Sequence, residues 1–263
     1  MAANKLKERW QAGKAAVNGW LAIPSGFAAE VMAQCGWDSV TVDMQHGVQD
    51  YQSMVQCFQA MDRFPVTKLV RVPWNEPGIV GKVLDAGAYG VICPMVNSRA
   101  EFEKFVGACR YAPAGYRSSG PIRAALYGGA DYQEKANETI IAFAMIETVE
   151  AIDNLDEILS TPGLDAVYVG PSDLSITMGL PPGLDKTDER MIANLNKILD
   201  GCRRYGVKAG IHTGSPAYAK RMIAMGYNFT TIMGDAALLR MAASQVLQQM
   251  REGVPAAKPT GPY

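Results

Sequence analysis

The sequence of 263 residues has few of the features that mark several protein classes. Its five cysteines are scattered and form no CxxC pair, so they predict neither a disulfide framework nor a thiolate metal site; they fit a reducing compartment as small core residues. No apolar run approaches the roughly 20 residues that span a bilayer, and MAANKLKERWQAGK contains no signal-like apolar segment. We therefore expect a cytoplasmic protein with no membrane partner.

Neither the charge nor the motifs of the chain indicate a nucleic-acid or dinucleotide ligand. Lys and Arg number 25 against 26 for Asp and Glu, which gives a net charge of -1. No basic stripe accompanies aromatic residues, so we expect no nucleic-acid partner. No GxGxxG motif follows the first apolar segment, which argues against a dinucleotide-binding, doubly wound open sheet. The chain is long enough to bury a sizeable core, and no break in composition divides it.

Eight short apolar segments alternate with helical patterns along the chain. Most are rich in Val, Ile, Met and Ala on consecutive positions, a pattern typical of strands buried on both faces of a parallel sheet. The predicted strands are 17–23, 38–44, 66–72, 89–93, 141–146, 164–169, 207–211 and 228–233. Strands and helices in this order over about 250 residues match a TIM (β/α)8 barrel, an α/β fold, with the doubly wound sheet as the alternative. We predict one such domain over residues 1–253.

Several predicted helices have recognisable ends. Asn75 precedes Glu-Pro and is predicted to cap a helix. Ser98 and Glu101 have the spacing of a capping box. A further helix is predicted to open at Thr187 and to close at Gly206, after two arginines.

Two segments break the regular pattern. Residues 111–138 carry Pro, Gly and Arg without steady periodicity, and we predict a long active-site loop there. Residues 254–263 are Pro-rich and predict a loose C-terminal tail.

Charged side chains follow four of the predicted strands at the point where each apolar run ends. His46 follows VTVDMQ, Arg71 ends KLVR, Glu147 follows FAMI, and Asp173 follows AVYVGPS. In a barrel the carboxyl ends of the strands form the rim that carries the active site. We therefore expect these four side chains to converge at one mouth, which indicates an enzyme.

Glu147 and Asp173 are the candidate metal ligands. Two carboxylates that share a cavity repel each other, so either a proton or a cation must neutralise them. A hard divalent cation such as Mg²⁺, Mn²⁺ or Co²⁺ takes oxygen ligands and leaves positions open for substrate. The alternative is that each carboxylate caps a helix, Glu147 the one at 148–160.

The GPSD turn before the next helix is a candidate anion site. Gly170 lets the backbone approach a ligand closely, and the N–H groups of Ser172 and Asp173 stand at a helix start, where a small carboxylate or phosphate binds. The alternative is a plain strand-to-helix turn.

His46 is the candidate general base, because imidazole titrates near neutral pH. Asp43 or Asp85 would orient it. Arg71 would stabilise negative charge on an enolate oxygen, with a structural salt bridge to Asp43 as the alternative. His212 follows the seventh predicted strand, and a hydrogen-bonding role is as compatible with its position as a functional one.

At these residues the chain resembles the HpcH/HpaI family of class II, metal-dependent 2-oxo acid aldolases. The resemblance runs from about residue 18 to 250. The motifs that carry it are VDMQHG, LVRVPWNEPGIVGKVLDAGAYGVICPMV, RYAPAGYRSSGP, MIETVEAIDNLDEIL and DAVYVGPSDLSITMG. It implies a TIM barrel and a homo-oligomer, namely a hexamer built as a trimer of dimers with helices exchanged between partners.

The resemblance also implies residue roles. His46 would act as acid and base, with Asp85 raising its basicity, and Arg71 would stabilise the transition state. A divalent metal ion would be held by Glu147 and Asp173. The amides of Ser172 and Asp173 would hold the carboxylate of pyruvate.

Two positions depart from many relatives of that family. Gln45 stands where they have Glu, and Met145 stands where they have Gln, two residues ahead of the predicted metal ligand Glu147. Since a thioether hydrogen-bonds weakly, Met145 would not bind a pyruvate oxygen strongly. Both departures indicate an altered substrate scope rather than lost chemistry.

The implied reaction is reversible aldol cleavage of a 4-hydroxy-2-oxo acid to pyruvate or hydroxypyruvate and an aldehyde. No lysine stands at the relevant strand ends to form a Schiff base, which favours the metal route. One alternative is an acyl-CoA lyase of the citrate-lyase β-chain or malyl-CoA type, for which Arg117 and Arg123 would bind the phosphates. Another is a non-catalytic regulatory protein that binds a small carboxylate.

Overall fold

The computed structural model describes residues 4–252, so the predicted tail at 254–263 lies outside the described residues. Eight parallel strands close into a barrel in chain order, which confirms the predicted TIM barrel as opposed to an open sheet. The strands are β1 Ala16–Leu21, β2 Ser39–Asp43, β3 Thr67–Arg71, β4 Gly90–Cys93, β5 Ile141–Ile146, β6 Ala166–Val169, β7 Lys208–Thr213 and β8 Phe229–Ile232. Each predicted strand is present, with its ends within two residues of the prediction.

Helices surround the barrel. They are α1 Lys5–Gln11, α2 Gly26–Ala33, α3 Tyr51–Met61, α4 Pro77–Asp85, α5 Arg99–Cys109, α6 Ile122–Gly128, α7 Tyr132–Thr139, α8 Val149–Asp153, α9 Leu155–Leu159, α10 Pro171–Thr177, α11 Glu189–Tyr205, α12 Pro216–Met225 and α13 Asp235–Arg251. None of those in the described part of the chain is both long and apolar enough to cross a membrane. Of the five free cysteines, four are buried as predicted, whereas Cys35 is exposed.

The barrel interior is a separate core from the layer between strands and helices. At the amino end of the strands, Trp10 of α1 packs edge-on against Phe143 and Phe229, with ring centroids 5.9 and 6.3 Å apart. The Trp10 indole N–H also donates to the Asn228 carbonyl at 3.0 Å. Helix α1 therefore closes the floor of the barrel, and the opposite end is left for a site.

Local sequence signals set several helix ends. The capping box of Ser98 and Glu101 is present at the start of α5. Gly206 ends α11 in the left-handed conformation, with φ at 69°, where a side chain would be strained.

Two predicted helix starts are wrong by one residue. Glu76, not Asn75, caps α4, because its carboxylate accepts from the N–H groups of Gly78 and Ile79. Asp188, not Thr187, caps α11. In both cases a carboxylate one position closer to the helix takes the N–H groups of the first turn.

The structure corrects the prediction of a long active-site loop at 111–138. That segment contains the two helices α6 and α7, and it joins the end of α5 to the start of β5. Helices of a barrel run back from the carboxyl rim of the strands to the amino rim, so the segment lies at the amino rim. Arg117 contacts Asp85 there, and Arg123 donates to the Ala86 carbonyl at 2.6 Å. Within one chain the segment is at the end opposite to the mouth.

Candidate active site

A cavity of 240 Å³ opens at the carboxyl rim of the barrel. The residues that line it are His46, Arg71, Met145, Glu147, Tyr168, Gly170, Pro171, Ser172, Asp173, Leu184 and His212. Folding therefore brings together eight of the residues that the sequence singled out, from strands far apart in the chain. Asp85 is not among them.

Arg71 is held by Asp43 on the neighbouring strand. The register of β2 and β3 places the two residues side by side. Arg71 Nε donates to Asp43 Oδ1 at 2.8 Å, and Nη2 donates to Oδ2 at 2.7 Å. Burial alone would raise the pKa of Asp43, but the guanidinium, with the Trp20 indole N–H, holds that pKa below its usual value. The predicted alternative of a salt bridge is present, and it fixes the guanidinium in one orientation.

The remaining guanidinium nitrogen of Arg71, Nη1, forms no hydrogen bond with Asp43 and lies at the cavity wall. Arg71 Nη1 lies 4.0 Å from Met145 Sδ, and both residues line the cavity wall. The Arg71 guanidinium carbon also lies 4.8 Å from the centre of the Trp20 ring. Held between a carboxylate and an indole face, this permanent cation is pre-oriented towards an anion in the cavity.

His46 is exposed at the end of β2. Asp43 Oδ1 accepts from the backbone N–H groups of Gln45 and His46, at 3.1 and 3.3 Å. Asp43 therefore shapes the turn that presents the imidazole, and the hydrogen bonds of its carboxylate go to backbone, Arg71 and Trp20 rather than to the His46 ring. The predicted role of Asp43 in orienting the ring is not supported.

Asp85 is the predicted site residue that this chain does not bring to the cavity. It is the last residue of α4, at the amino rim, and its Oδ1 accepts from Arg117 Nη2 at 2.7 Å. A chain-internal contact between Asp85 and His46 is therefore excluded by the direction of the helix.

Glu147 is buried at the end of β5 and faces the cavity. Its Oε1 accepts from the backbone N–H of Met95 at 2.7 Å. Burial, with a smaller contribution from the charge of Asp173, raises the pKa of Glu147 to about 7. The alternative role as a helix cap is wrong, because Thr148 caps α8 by accepting from the Ala151 N–H.

Asp173 lies in the first turn of α10, a helix that begins without a side-chain cap. Pro171 has no N–H, so the amides of Ser172 and Asp173 are the first donors of this helix, and neither has an intrahelical acceptor at that position. Asp173 is thus not the cap of α10. The uncapped helix start and the two residues line the same cavity as Glu147.

The donor set fits a hard divalent cation with open positions. No group of three or more His, Cys, Asp and Glu side chains is arranged for a metal ion within residues 4–252, which argues against a closed cage. Two carboxylates in one cavity, one of them with a pKa raised mainly by burial and less by the charge of the other, match the ligand count that Mg²⁺-type ions take when water and substrate supply the rest.

His212 belongs to a partly buried aromatic cluster beside the cavity. Its Nδ1 lies 2.9 Å from the Tyr168 hydroxyl, which in turn contacts Thr231 Oγ1 at 2.8 Å. Burial, with the nearby charge of Arg71, lowers the pKa of His212 to about 4. His212 is therefore neutral at neutral pH, and its ring is held by Tyr168 and by edge-on contact with Trp20.

Sequence reasoning missed Tyr168 and Trp20. Both are aromatic residues on short, mostly apolar strands, so their types alone mark them as core residues. The signal that was available is strand alternation. Tyr168 stands two residues before Gly170 and points to the barrel interior, as Arg71 does on its own strand.

Fold and cavity together define a (β/α)8-barrel protein with an enzyme-type site at the carboxyl rim, built from a carboxylate pair, a fixed guanidinium, an imidazole and an open helix start. Residues 19–242 match the profile of the family described as HpcH/HpaI aldolase/citrate lyase. The chain belongs to this family.

Known members of similar sequence are named as aldolases. The chain is 39% identical over 248 residues to a hydroxypyruvate/pyruvate aldolase of Rhizorhabdus wittichii, covering 94% of this chain and 99% of that protein. It is 32% identical to a 4-hydroxy-2-oxo-heptane-1,7-dioate aldolase of Escherichia coli, with 97% and 98% covered. A crystal structure of an HpcH/HpaI aldolase/citrate lyase family protein from Burkholderia cenocepacia superposes with a TM-score of 0.88 at 30% identity, over 95% of this chain and 100% of that one.

Proposed function

We propose that this protein is a divalent-metal-dependent lyase that reversibly cleaves 4-hydroxy-2-oxo acids to pyruvate or hydroxypyruvate and an aldehyde. The observation that carries the proposal is one cavity shared by Glu147, Asp173, Arg71, His46 and the open start of α10. The aldolase names of the two relatives support the same reaction class.

Glu147 and Asp173 would hold the metal ion, Mg²⁺, Mn²⁺ or Co²⁺. When bound, such an ion supplies Lewis acidity to a carbonyl oxygen, which is worth several kcal/mol in the transition state. The Met95 N–H keeps Oε1 of Glu147 in place, and the missing side chain of Gly170 leaves the space that Oε2 occupies.

The chain's own groups would bind and orient the 2-oxo acid. The amides of Ser172 and Asp173 donate to its carboxylate at the helix start, where negative charge is favoured. Arg71, already fixed by Asp43, faces the 2-oxo oxygen and stabilises the negative charge that develops there. Met145, whose sulfur lies 4.0 Å from Arg71 Nη1, forms an apolar part of the cavity wall. A Gln side chain at this position would donate a hydrogen bond to the same 2-oxo oxygen that Arg71 faces.

His46 would move the proton. In the cleavage direction it takes the proton of the 4-hydroxyl as the bond between C3 and C4 breaks, so that the aldehyde leaves and the electron pair passes to C3 and the 2-oxo oxygen. Return of that proton from His46 to C3 then gives pyruvate, or hydroxypyruvate when C3 carries a hydroxyl, and leaves the imidazole neutral again. A general base of this kind contributes about 10²- to 10⁴-fold.

A role for Asp85 in raising the basicity of His46 requires a second copy of the chain, because each chain places the two residues at opposite rims. The homohexamer expected from the sequence would supply such a copy. Cytoplasmic location likewise stays a prediction.

The positions of Arg117 and Arg123, which would bind the CoA phosphates in an acyl-CoA lyase, do not favour that alternative. Arg117 contacts Asp85 and Arg123 contacts Asp62, both at the amino rim, so neither offers its charge to the mouth of its own barrel. The other alternative, a non-catalytic regulatory protein that binds a small carboxylate, is distinguished from an aldolase by measuring turnover.

The test combines metal removal with matched variants. Protein stripped with EDTA is expected to lose pyruvate release from a panel of 4-hydroxy-2-oxo acids and to regain it with Mg²⁺, Mn²⁺ or Co²⁺. Glu147→Gln and Asp173→Asn should lose Mn²⁺ binding in calorimetry. His46→Ala should keep Mn²⁺ binding and lose turnover by about 10²-fold or more.

Full activity of stripped protein, or a lysine adduct trapped by borohydride in the presence of substrate, would show that the metal route is wrong. Unchanged turnover of His46→Ala would remove the assigned base. Absence of turnover with the whole panel and every metal would favour the carboxylate-binding alternative.

A further inference from the structure

A second charged cavity lies at the amino rim, at the junction of α3 and β3. It measures 220 Å³, and its polar lining residues are Lys5, Asp62, Thr67, Lys68, Tyr89 and Tyr127. It shares no residue with the cavity of the candidate active site. Its volume is below the roughly 300–1,000 Å³ of sites for drug-sized ligands, so it suits a smaller group.

Lys68 is an unusual lining residue because it is a buried cation on a barrel strand. Only 7% of its surface is exposed, and its ammonium contacts Asp62 Oδ1. Arg123 Nη2 contacts the other oxygen of the same carboxylate at 2.5 Å. Both oxygens of Asp62 are therefore engaged, each by a different cation.

The charges around this cavity do not balance. Among the described residues that line the cavity, Lys5 and Lys68 are cations and Asp62 is the one carboxylate, and Arg123, which does not line the cavity, pairs with that same carboxylate. A buried charge is costly unless an opposite charge and hydrogen bonds compensate it. The Lys68 ammonium has three donors, of which Asp62 takes one.

Aromatic rings hold the cations without cancelling their charge. The Lys68 ammonium lies 5.6 Å from the ring centres of both Phe58 and Tyr127, and the Arg123 guanidinium carbon lies 4.5 Å from that of Tyr127. Burial also lowers the pKa of Lys68 more than Asp62 raises it, which indicates that the carboxylate alone does not compensate for lost hydration.

A purely structural network would not need this excess. The pair of Arg123 and Asp62 already ties the start of α6 to the end of α3, and Arg123 also binds the Ala86 carbonyl. Lys68 adds a further positive charge to the cavity lining, as does Lys5.

We propose that the cavity lined by Lys5, Lys68 and Tyr127 is a binding site for a small phosphate-type oxyanion, separate from the aldolase site. The oxyanion would accept from the unused donors of Lys68 and from Lys5, and it would bring the charge around Asp62 close to balance.

The test is calorimetric titration of metal-free protein with inorganic phosphate, so that no divalent cation can carry the anion. Lys68→Met keeps the length and the aromatic contacts but removes the charge, and it should weaken phosphate binding about tenfold or more, as expected for a lost charge-assisted hydrogen bond. Lys5→Gln, at an exposed position that does not threaten folding, should weaken it by a smaller factor.

Lys208→Met is the matched control, because Lys208 begins β7 at the same rim and lines a different cavity. It should leave phosphate affinity unchanged. Equal affinity of the wild type and Lys68→Met would place the anion elsewhere, for instance at the start of α10, and would overturn the proposal. So would the absence of measurable binding by the wild type, or equal weakening by Lys5→Gln and Lys208→Met.

Discussion

At the scale of single residues, Asp43 and Arg71 combine a structural and a functional property. Their bidentate contact is buried, and each partner compensates for the lost hydration of the other. Removal of one partner leaves an uncompensated charge, which is far more destabilising than removal of both.

This predicts a coupled mutational cycle. Asp43→Asn and Arg71→Met should each lower the free energy of unfolding by about 3 kcal/mol, and the double variant should lose clearly less than the sum. Urea unfolding followed by circular dichroism measures all three. Strictly additive losses would show that the pair contributes no coupling, and then the fixed orientation of Arg71 would need another cause.

A second prediction for a single residue concerns His212 and the pH dependence of the free energy of unfolding. Its pKa is lowered to about 4 in the folded protein, so between pH 4 and the ordinary value near 6.5 the unfolded chain binds the proton that the folded chain does not. Stability from this group is present above that range and is lost as the pH falls through it. The wild type should therefore lose about 3 kcal/mol more than His212→Gln between neutral pH and the lower end of the range.

The measurement is urea unfolding of both proteins across that pH range. Equal pH dependence in wild type and His212→Gln would mean that the imidazole is protonated in the fold, contrary to its burial beside Arg71.

At the scale of elements, the junction of β6 with α10 sets the geometry of the carboxylate pair. A methyl group on Gly170 would lie 2.3 Å from Glu147 Oε2 and 3.0 Å from Met145 Cε. A contact of 2.3 Å does not occur in real structures, so Glu147 or the turn would have to move. A glycine is required at position 170 because the ends of β5 and β6 lie close together there, and not because the backbone adopts a positive φ.

Gly170→Ala is therefore expected to weaken Mn²⁺ binding about tenfold or more and to lower pyruvate release in parallel, as displaced supporting groups around metal ligands do. Gly120→Ala is the control, since nothing lies within 4 Å of its added methyl group, and it should leave both unchanged. Calorimetry with Mn²⁺ reads the first effect. Native Mn²⁺ affinity in Gly170→Ala would show that Glu147 does not hold the ion.

At the scale of the whole molecule, α13 stands out because it packs little against its own barrel. Of its seventeen residues only Asp235 is buried, whereas Leu239, Met241, Val246, Leu247 and Met250 are exposed. A long helix gains most of its stability from a packed apolar face, and a large exposed apolar patch marks an interaction site. This supports the homo-oligomer expected from the sequence.

Replacing Leu239, Val246 and Met250 together with Gln should therefore reduce the particle mass in light scattering after gel filtration. These positions follow helical spacing and share one face. Gln245→Glu on the same helix is the control and should leave the mass unchanged. An unchanged mass in the triple variant would show that α13 is not the interface.

Much of the fold follows from local patterns in the chain. Strands buried on both faces are continuously apolar, so all eight could be placed from the sequence, and capping chemistry located the start of α5 and the end of α11. The same local rules missed the caps Glu76 and Asp188, because neighbouring residues of similar propensity compete for one position.

What the sequence by itself determined is the order of strands and helices and the placement of His46, Arg71, Glu147 and Asp173 at strand ends, since these depend on short-range periodicity. Only the tertiary structure decided that Asp43 pairs with Arg71, that Asp85 and the 111–138 segment lie at the opposite rim, and that burial shifts the pKa values of Glu147 and His212. Those outcomes depend on strand register, barrel closure and desolvation, which are set by contacts between residues far apart in the chain.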